Sequence, residues 1–137
     1  MTVLVVDVAN VVGSRPDGWW RDRAGAATRL LGELASIPGE LSGPDGRPVH
    51  VEAVVAVVEG AARDVPAPHG VRVVRASGSG DDALVCVVAE MAGDAVVVVT
   101  ADRGLRARLP AATPTAGPRW LRDRLDEVGG MGPGGTG

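Results

Sequence analysis

The chain has 137 residues, 45% of them hydrophobic, enough to bury a core in one globular domain. All 14 basic residues are Arg, which excludes the Lys of a Walker-type phosphate loop and a Lys Schiff base, and the single Cys86 excludes an internal disulfide or a Cys-based zinc site. With a net charge of −3, any binding of nucleic acid falls to a local Arg patch rather than to an overall positive field.

The first apolar run is VLVVDV at 3–8, and like the later runs it is nearly continuous Val rather than alternating. That is the pattern of a strand buried on both faces of a parallel sheet. A helical stretch follows at 19–36, then a Pro/Gly-rich loop at 38–48 with turn chemistry at Gly43-Pro44-Asp45-Gly46. VEAVVAVV at 51–58 and VRVV at 71–74 read as the second and third strands, with a short helix at 60–64 between them. A helix at 81–92, a fourth strand AVVVVT at 95–100, and a helix at 103–109 come next. A weak fifth strand is expected near 112–115, before a last helix at 118–128 that opens on Pro118. This alternation predicts an α/β fold, a doubly wound and mainly parallel sheet of four to five strands with helices on both faces. One domain spans 1–128, and 129–137 forms a flexible Gly-rich tail. The chain enters VLVVDV without a basic leader, and no apolar run reaches the ~18 residues of a membrane span, which places it in the cytoplasm, away from membranes.

Open α/β sheets bind ligands beyond the carboxyl ends of their strands. Asp7 closes the first strand, Asp81 and Asp82 follow the third, and Asp102 follows the fourth in VVVVTADRG. The stretch Gly78-Ser79-Gly80-Asp81-Asp82-Ala83 fits G-x-G-x-x-A, a dinucleotide fingerprint, but its aspartates would repel a pyrophosphate. Four unneutralised carboxylates on one edge repel one another, and a hard divalent cation, Mg²⁺ or Mn²⁺, relieves that repulsion. Other roles are open to each acid. Asp81 and Asp82 suit the first turn of a helix, Ser79-x-x-Asp82 resembles a capping box, and Asp102 can cap the helix after it. Asp7 interrupts a buried Val run, where a carboxylate is costly unless bonded.

Asp7-x-x-Asn10 after the first strand, Asp81-Asp82 opening the third helix and Thr100-Ala101-Asp102 after the fourth strand resemble the PIN-like nuclease superfamily. The pattern is similar to its NYN branch, which includes YacP-like and Regnase-type ribonuclease domains, over residues 3–127. The resemblance implies a Mg²⁺- or Mn²⁺-dependent endo- or exoribonuclease. By position, Asp7, Asp82 and Asp102 would form the metal-binding core, with Asp81 its neighbour and Asn10 its polar partner. A further acid common in the family is not matched beyond the fourth strand, where Arg106 stands; Asp22 or Glu59 is the alternative source. The reaction implied is in-line attack of hydroxide on phosphorus, leaving a 5′-phosphate, with no call on His50 or His69.

Contacts to substrate are expected from GSRPDGWWRDR at 13–23. Arg15, Arg21 and Arg23 can pair with phosphates, and Trp19 or Trp20 can stack on bases of single-stranded RNA. One of these Trp residues is expected in the core, and Asp17 can cap the helix. Thr100 and Arg103 complete the substrate side, with Arg106 and Arg119 extending the basic rim. Trp120 and Leu121 read as core contacts of the last helix, and Cys86 and Met91 as the buried side of the third. Alternatives are a non-catalytic RNA-binding or regulatory module, or a nucleotide pyrophosphohydrolase using the same acids. A homodimer is compatible with each of them.

Overall fold

The computed structural model describes residues 2–91 and 94–131. Its elements in chain order are β1 (Thr2–Asp7), α1 (Val8–Gly13), α2 (Arg23–Leu34), β2 (Gly39–Ser42), β3 (Pro48–Val58), β4 (Val71–Arg75), α3 (Gly80–Glu90), β5 (Ala95–Val99), α4 (Arg103–Arg108), β6 (Thr115–Ala116) and α5 (Pro118–Met131). β3, β1, β5 and β6 lie side by side in that order and run parallel. The far edge of β3 is shared: its first half pairs antiparallel with β2, and its second half pairs parallel with β4. The parallel α/β sheet expected from the Val runs is therefore present, extended by an antiparallel strand.

Alternation along the strands divides the core into two layers. Leu4, Val6, Val54, Ala56, Val58, Val97 and Val99 face α1, α2 and α5, where Leu30, Leu31, Leu34 and Leu121 are fully buried. Val3, Val5, Val55, Val57, Val96 and Val98 face the other way, onto Leu84, Val87 and Val88 of α3 and Leu105 of α4. At roughly 25 cal/mol per Å² of apolar surface, these two layers supply the main driving force for folding.

Several local expectations are corrected. β1 ends at Asp7 and not at residue 8, because the Asp7 carboxylate accepts from the Asn10 backbone N–H and starts α1. The long helix expected at 19–36 begins only at Arg23, capped by Asp22 through Gly25 N at 2.9 Å; Trp19–Arg21 form a separate 3₁₀ turn. Asp17 caps neither element. The loop expected at 38–48 contains β2, half of a hairpin closed by the turn at Gly43–Gly46. Residues 60–62 form a 3₁₀ turn, and the fifth parallel strand falls at Thr115–Ala116, later than expected. Cys86 is exposed rather than buried, whereas Met91 packs against the core. α5 continues past Val128 to Met131, so the expected tail starts inside the helix, and its last part, 132–137, lies outside the described residues.

Candidate active site

The parallel strands carry Asp7, Glu59, the 76–81 turn and Thr100–Asp102 to one edge of the sheet, at the carboxyl ends of β1, β3, β4 and β5. The period of two decides which way they face. Val3 and Val5 point toward α3 and α4, and Asp7 continues that series; Thr100 continues Val96 and Val98. Asp7 and Thr100 accordingly meet: Thr100 Oγ1 donates to Asp7 Oδ2 at 2.9 Å, and both residues are buried. The same Thr100 oxygen accepts from Asp102 N at 3.1 Å. Asn10 Oδ1 accepts from Ala101 N at 2.8 Å, which ties α1 to the end of β5. Asp7, Asn10, Thr100 and Asp102 thus form one bonded unit.

Asp7 has a displaced pKa. Burial raises it above the ordinary 3.8, the bonds from Thr100 and Asn10 oppose that rise, and the nearby charges of Asp81 and Glu59 add to it. The acids that act on Asp7 are therefore Asp81 and Glu59. Glu59 directly follows β3, and Gly60, at φ +58°, turns the chain away behind it. The Gly-rich turn makes room for that carboxylate. A Cβ built on Gly80 would overlap the Glu59 carboxylate, with Glu59 Cδ only 2.7 Å away. Ser79 Oγ accepts from Asp81 N and caps α3, so the turn serves a helix start and a Glu approach.

The other two acids have partners of their own. Asp82 is exposed and pairs with Arg108 of α4 at 2.7 Å. Asp102 Oδ1 accepts from Leu105 N at 3.0 Å, capping α4. Of the two sources considered for a further acid, Glu59 lies beside Asp7, while Asp22 is spent on the start of α2. Glu59 had a sequence signal: it ends the run VVAVVE, two residues beyond Val57, the partner of Asp7 in the register. His50 lies in β3 and His69 just before β4, near the opposite ends of the strands.

The expected substrate residues divide. Arg23 lies over the Trp19 ring at 5.4 Å, and both line a cleft of about 210 Å³ that also contains Glu59. Arg21 lies over Trp20 at 5.9 Å; Trp20 is 56% exposed, whereas Trp19 packs partly against the core. Arg15 is held by Glu33 at 3.0 Å, in a groove of mixed charge with Arg122 and Asp126. Arg103 is exposed on the first turn of α4, next to Asp102, and Arg106 Nε donates to the Thr100 carbonyl at 2.9 Å. Trp120 is only partly buried and donates to Ser42 O, while Leu121 is fully buried.

Among solved structures, the chain superimposes on Rae1 (YacP) from Bacillus subtilis, a W164L mutant, with a TM-score of 0.68 at 15% identity, covering 96% of this chain and 79% of that one. The fold is YacP-like. This agrees with the PIN-like, NYN-branch architecture implied by Asp7-x-x-Asn10, Asp81-Asp82 and Thr100-Ala101-Asp102. No family model and no curated protein matches the sequence. No helix among the described residues is long and apolar enough to cross a membrane.

Proposed function

We propose that the chain is a metal-dependent ribonuclease acting on single-stranded RNA. The observation that carries this reading is Asp7, a buried carboxylate pressed by two like charges and bonded only to neutral donors among the described residues. A carboxylate in that setting is stabilised by a cation. Asp7, Asp81 and Glu59 offer hard oxygen donors of the kind Mg²⁺ and Mn²⁺ prefer. No three His, Cys, Asp or Glu side chains among the described residues converge tightly enough to enclose an ion. Mg²⁺ commonly keeps several waters and takes one or two carboxylates, and a loose set of this kind suits it. Asp82 and Asp102 could join it by leaving Arg108 and the α4 cap respectively.

An ion held by Asp7 and its neighbours would acidify a bound water and polarise a phosphoryl oxygen. The chain's own residues do the rest. Thr100 and Asn10 fix the Asp7 carboxylate, and Arg23, in the cleft with Glu59, and Arg103, next to Asp102, give the phosphates a counter-charge. Trp20 with Arg21 presents an exposed stacking surface. The YacP-like fold, and the resemblance of the motifs to YacP-like ribonuclease domains, support the same substrate class.

The test is cleavage of a single-stranded RNA with and without Mn²⁺, by the parent protein and by Asp7→Asn. Cleavage that requires Mn²⁺ and falls about 100-fold or more in Asp7→Asn, with RNA binding retained, is the expected result. Binding of RNA without metal-dependent turnover in the parent would instead make the chain a binding module, a reading favoured by the ties of Asp82 to Arg108 and of Asp102 to its cap. Hydrolysis of nucleoside triphosphates with RNA left intact would transfer the same acids to a pyrophosphohydrolase.

A further inference from the structure

Glu59 also lines a cleft whose other walls differ from those of the acid edge. Val8 and Val12 of α1 and Ala27 of α2 give it an apolar floor, and all are buried. Trp19 and Arg23 form one side, and the 60–62 turn forms the other, with Ala61 exposed at the surface. Glu59 belongs both to this cleft and to the contact with Gly80, so the cleft opens next to the acids that act on Asp7. Its volume of about 210 Å³ lies below the roughly 300–1,000 Å³ of sites for drug-sized molecules. It has room for one flat ring system and not for a chain of them.

We propose that this cleft is a nucleobase subsite, seating one unstacked base of the RNA strand whose phosphate lies at Asp7. The proposal rests on the ribonuclease reading for its substrate and on the cleft for its chemistry. Bases removed from a helix are held by aromatic rings, by guanidinium planes and by hydrogen bonds to their edges. Trp19 and Arg23 supply the first two, and the Glu59 carboxylate can accept from an exocyclic amine or a ring N–H. A bare phosphate could pair with Arg23 but would find Glu59 repulsive and the Val and Ala floor without donors, whereas a base can use the ring, the guanidinium plane and the carboxylate together. The chemistry therefore selects the base end of a nucleotide.

Two measurements on the full chain test this. In the first, amide resonances of Ala61 and Ala62 and the indole N–H of Trp19 are followed by NMR during titration with guanosine and uridine 5′-monophosphates, and with ribose 5-phosphate, which lacks a base. Saturable shifts with at least one nucleotide, none with ribose 5-phosphate, and loss of response in Ala61→Phe, which obstructs the cleft from an exposed position, are expected. Equal shifts with ribose 5-phosphate, or none with either nucleotide, overturn the subsite. In the second, a single abasic residue is moved along an RNA oligonucleotide. One position should cost the parent roughly 5- to 150-fold in affinity, and no position should do so in Ala61→Phe. RNA cut equally well with every abasic placement sinks the subsite and leaves the ribonuclease reading intact. RNA neither bound nor cut, with the nucleotide response preserved, sinks the ribonuclease reading and leaves the subsite. Abasic sensitivity with a silent cleft puts the base elsewhere and also overturns the proposal.

Discussion

α3 and α4 begin in the same way and end up with different chemistry. Each follows a parallel strand at the carboxyl edge, and each has aspartate at its start. At α3 the cap is the neutral Ser79, so Asp81 and Asp82 have no duty to the backbone. At α4 the cap is Asp102 itself, whose carboxylate is committed to Leu105 N. A neutral cap leaves the acids behind it clear of the backbone, while an acidic cap gives one oxygen to its helix, as Asp102 does at α4 and Asp7 at α1. Position on the edge is therefore insufficient to make a carboxylate available. The charge of Asp81 acts on Asp7, Asp82 turns to Arg108, and Asp102 stays with its helix.

The sharpest way to break that contrast is to neutralise the acids of α3 one at a time. Asp81→Asn should lower RNA cleavage by about 100-fold, because it removes an anionic oxygen donor whose charge acts together with that of Asp7 on the ion. Asp82→Asn should change it by no more than a few-fold, since it loses only an exposed pair to Arg108, worth about 0–1 kcal/mol. Single-turnover rates for the two variants under equal metal decide between them. If Asp82→Asn is the more damaging, Asp82 leaves Arg108 in the working state and the division drawn at α3 is wrong.

A smaller effect is expected from Gly80→Ala. Ala favours a helix over Gly by about 1 kcal/mol, but its Cβ would displace the Glu59 carboxylate, the movable end of a flexible side chain. The fold should survive and cleavage should fall about 10-fold. Glu59→Gln should cost a similar amount, and combining the two should add little, because both act on one carboxylate. Full additivity in this double-mutant cycle would show that Gly80 acts by another route.

Much of this arrangement was legible in the residues, and the gaps have physical causes. Continuous Val runs announced a parallel sheet, and Asp7 within such a run marked a costly buried carboxylate. α1 was hidden because VANVVG prolongs the apolar β-branched run; as a helix it is capped by Asp7 through Asn10 N and buries Val8, Val11 and Val12. β2 was hidden because GELS has no β-branched residue and sits among turn formers, so its pairing to β3 carries it. Cys86 was misplaced because α3 is apolar nearly all round, while its buried stripe is Leu84, Val87 and Val88. The pairing of Asp82 with Arg108 joins residues 26 apart and has no local signature.

On the α4 side the contrast predicts a loss of stability first. Asp102→Ala should lower stability by about 0.5–2 kcal/mol through the lost cap. Asp102→Ser should restore most of it, since Ser also caps. Thermal unfolding of the two variants measures this, and cleavage by Asp102→Ser then tests the assignment. Activity close to the parent's confirms that the carboxylate serves the helix, whereas a stable but inactive Asp102→Ser shows that its charge is needed at the edge.

The smallest effect concerns Asp7 and pH. Its pKa in the folded chain is raised above 3.8, chiefly by burial, with Asp81 and Glu59 adding to the rise. In the range between the unfolded and folded values the folded protein holds more protons than the unfolded one. The contribution of Asp7 to stability is thus fully present below 3.8 and is lost as pH rises through the folded value. Asp7→Asn removes this loss, because the amide stays neutral, its oxygen can still accept from Asn10 N, and its NH2 can donate to Thr100 Oγ1. The variant should melt slightly above the parent at neutral pH, and the gap should close as pH falls toward 3.8. Mg²⁺ or Mn²⁺ should narrow the same gap at neutral pH by raising the parent alone, since an ion that binds only the folded site stabilises it. A gap that does not change with pH would mean that shape rather than charge separates the two proteins. A gap indifferent to either ion would leave Asp7 without the cation that its neighbours call for.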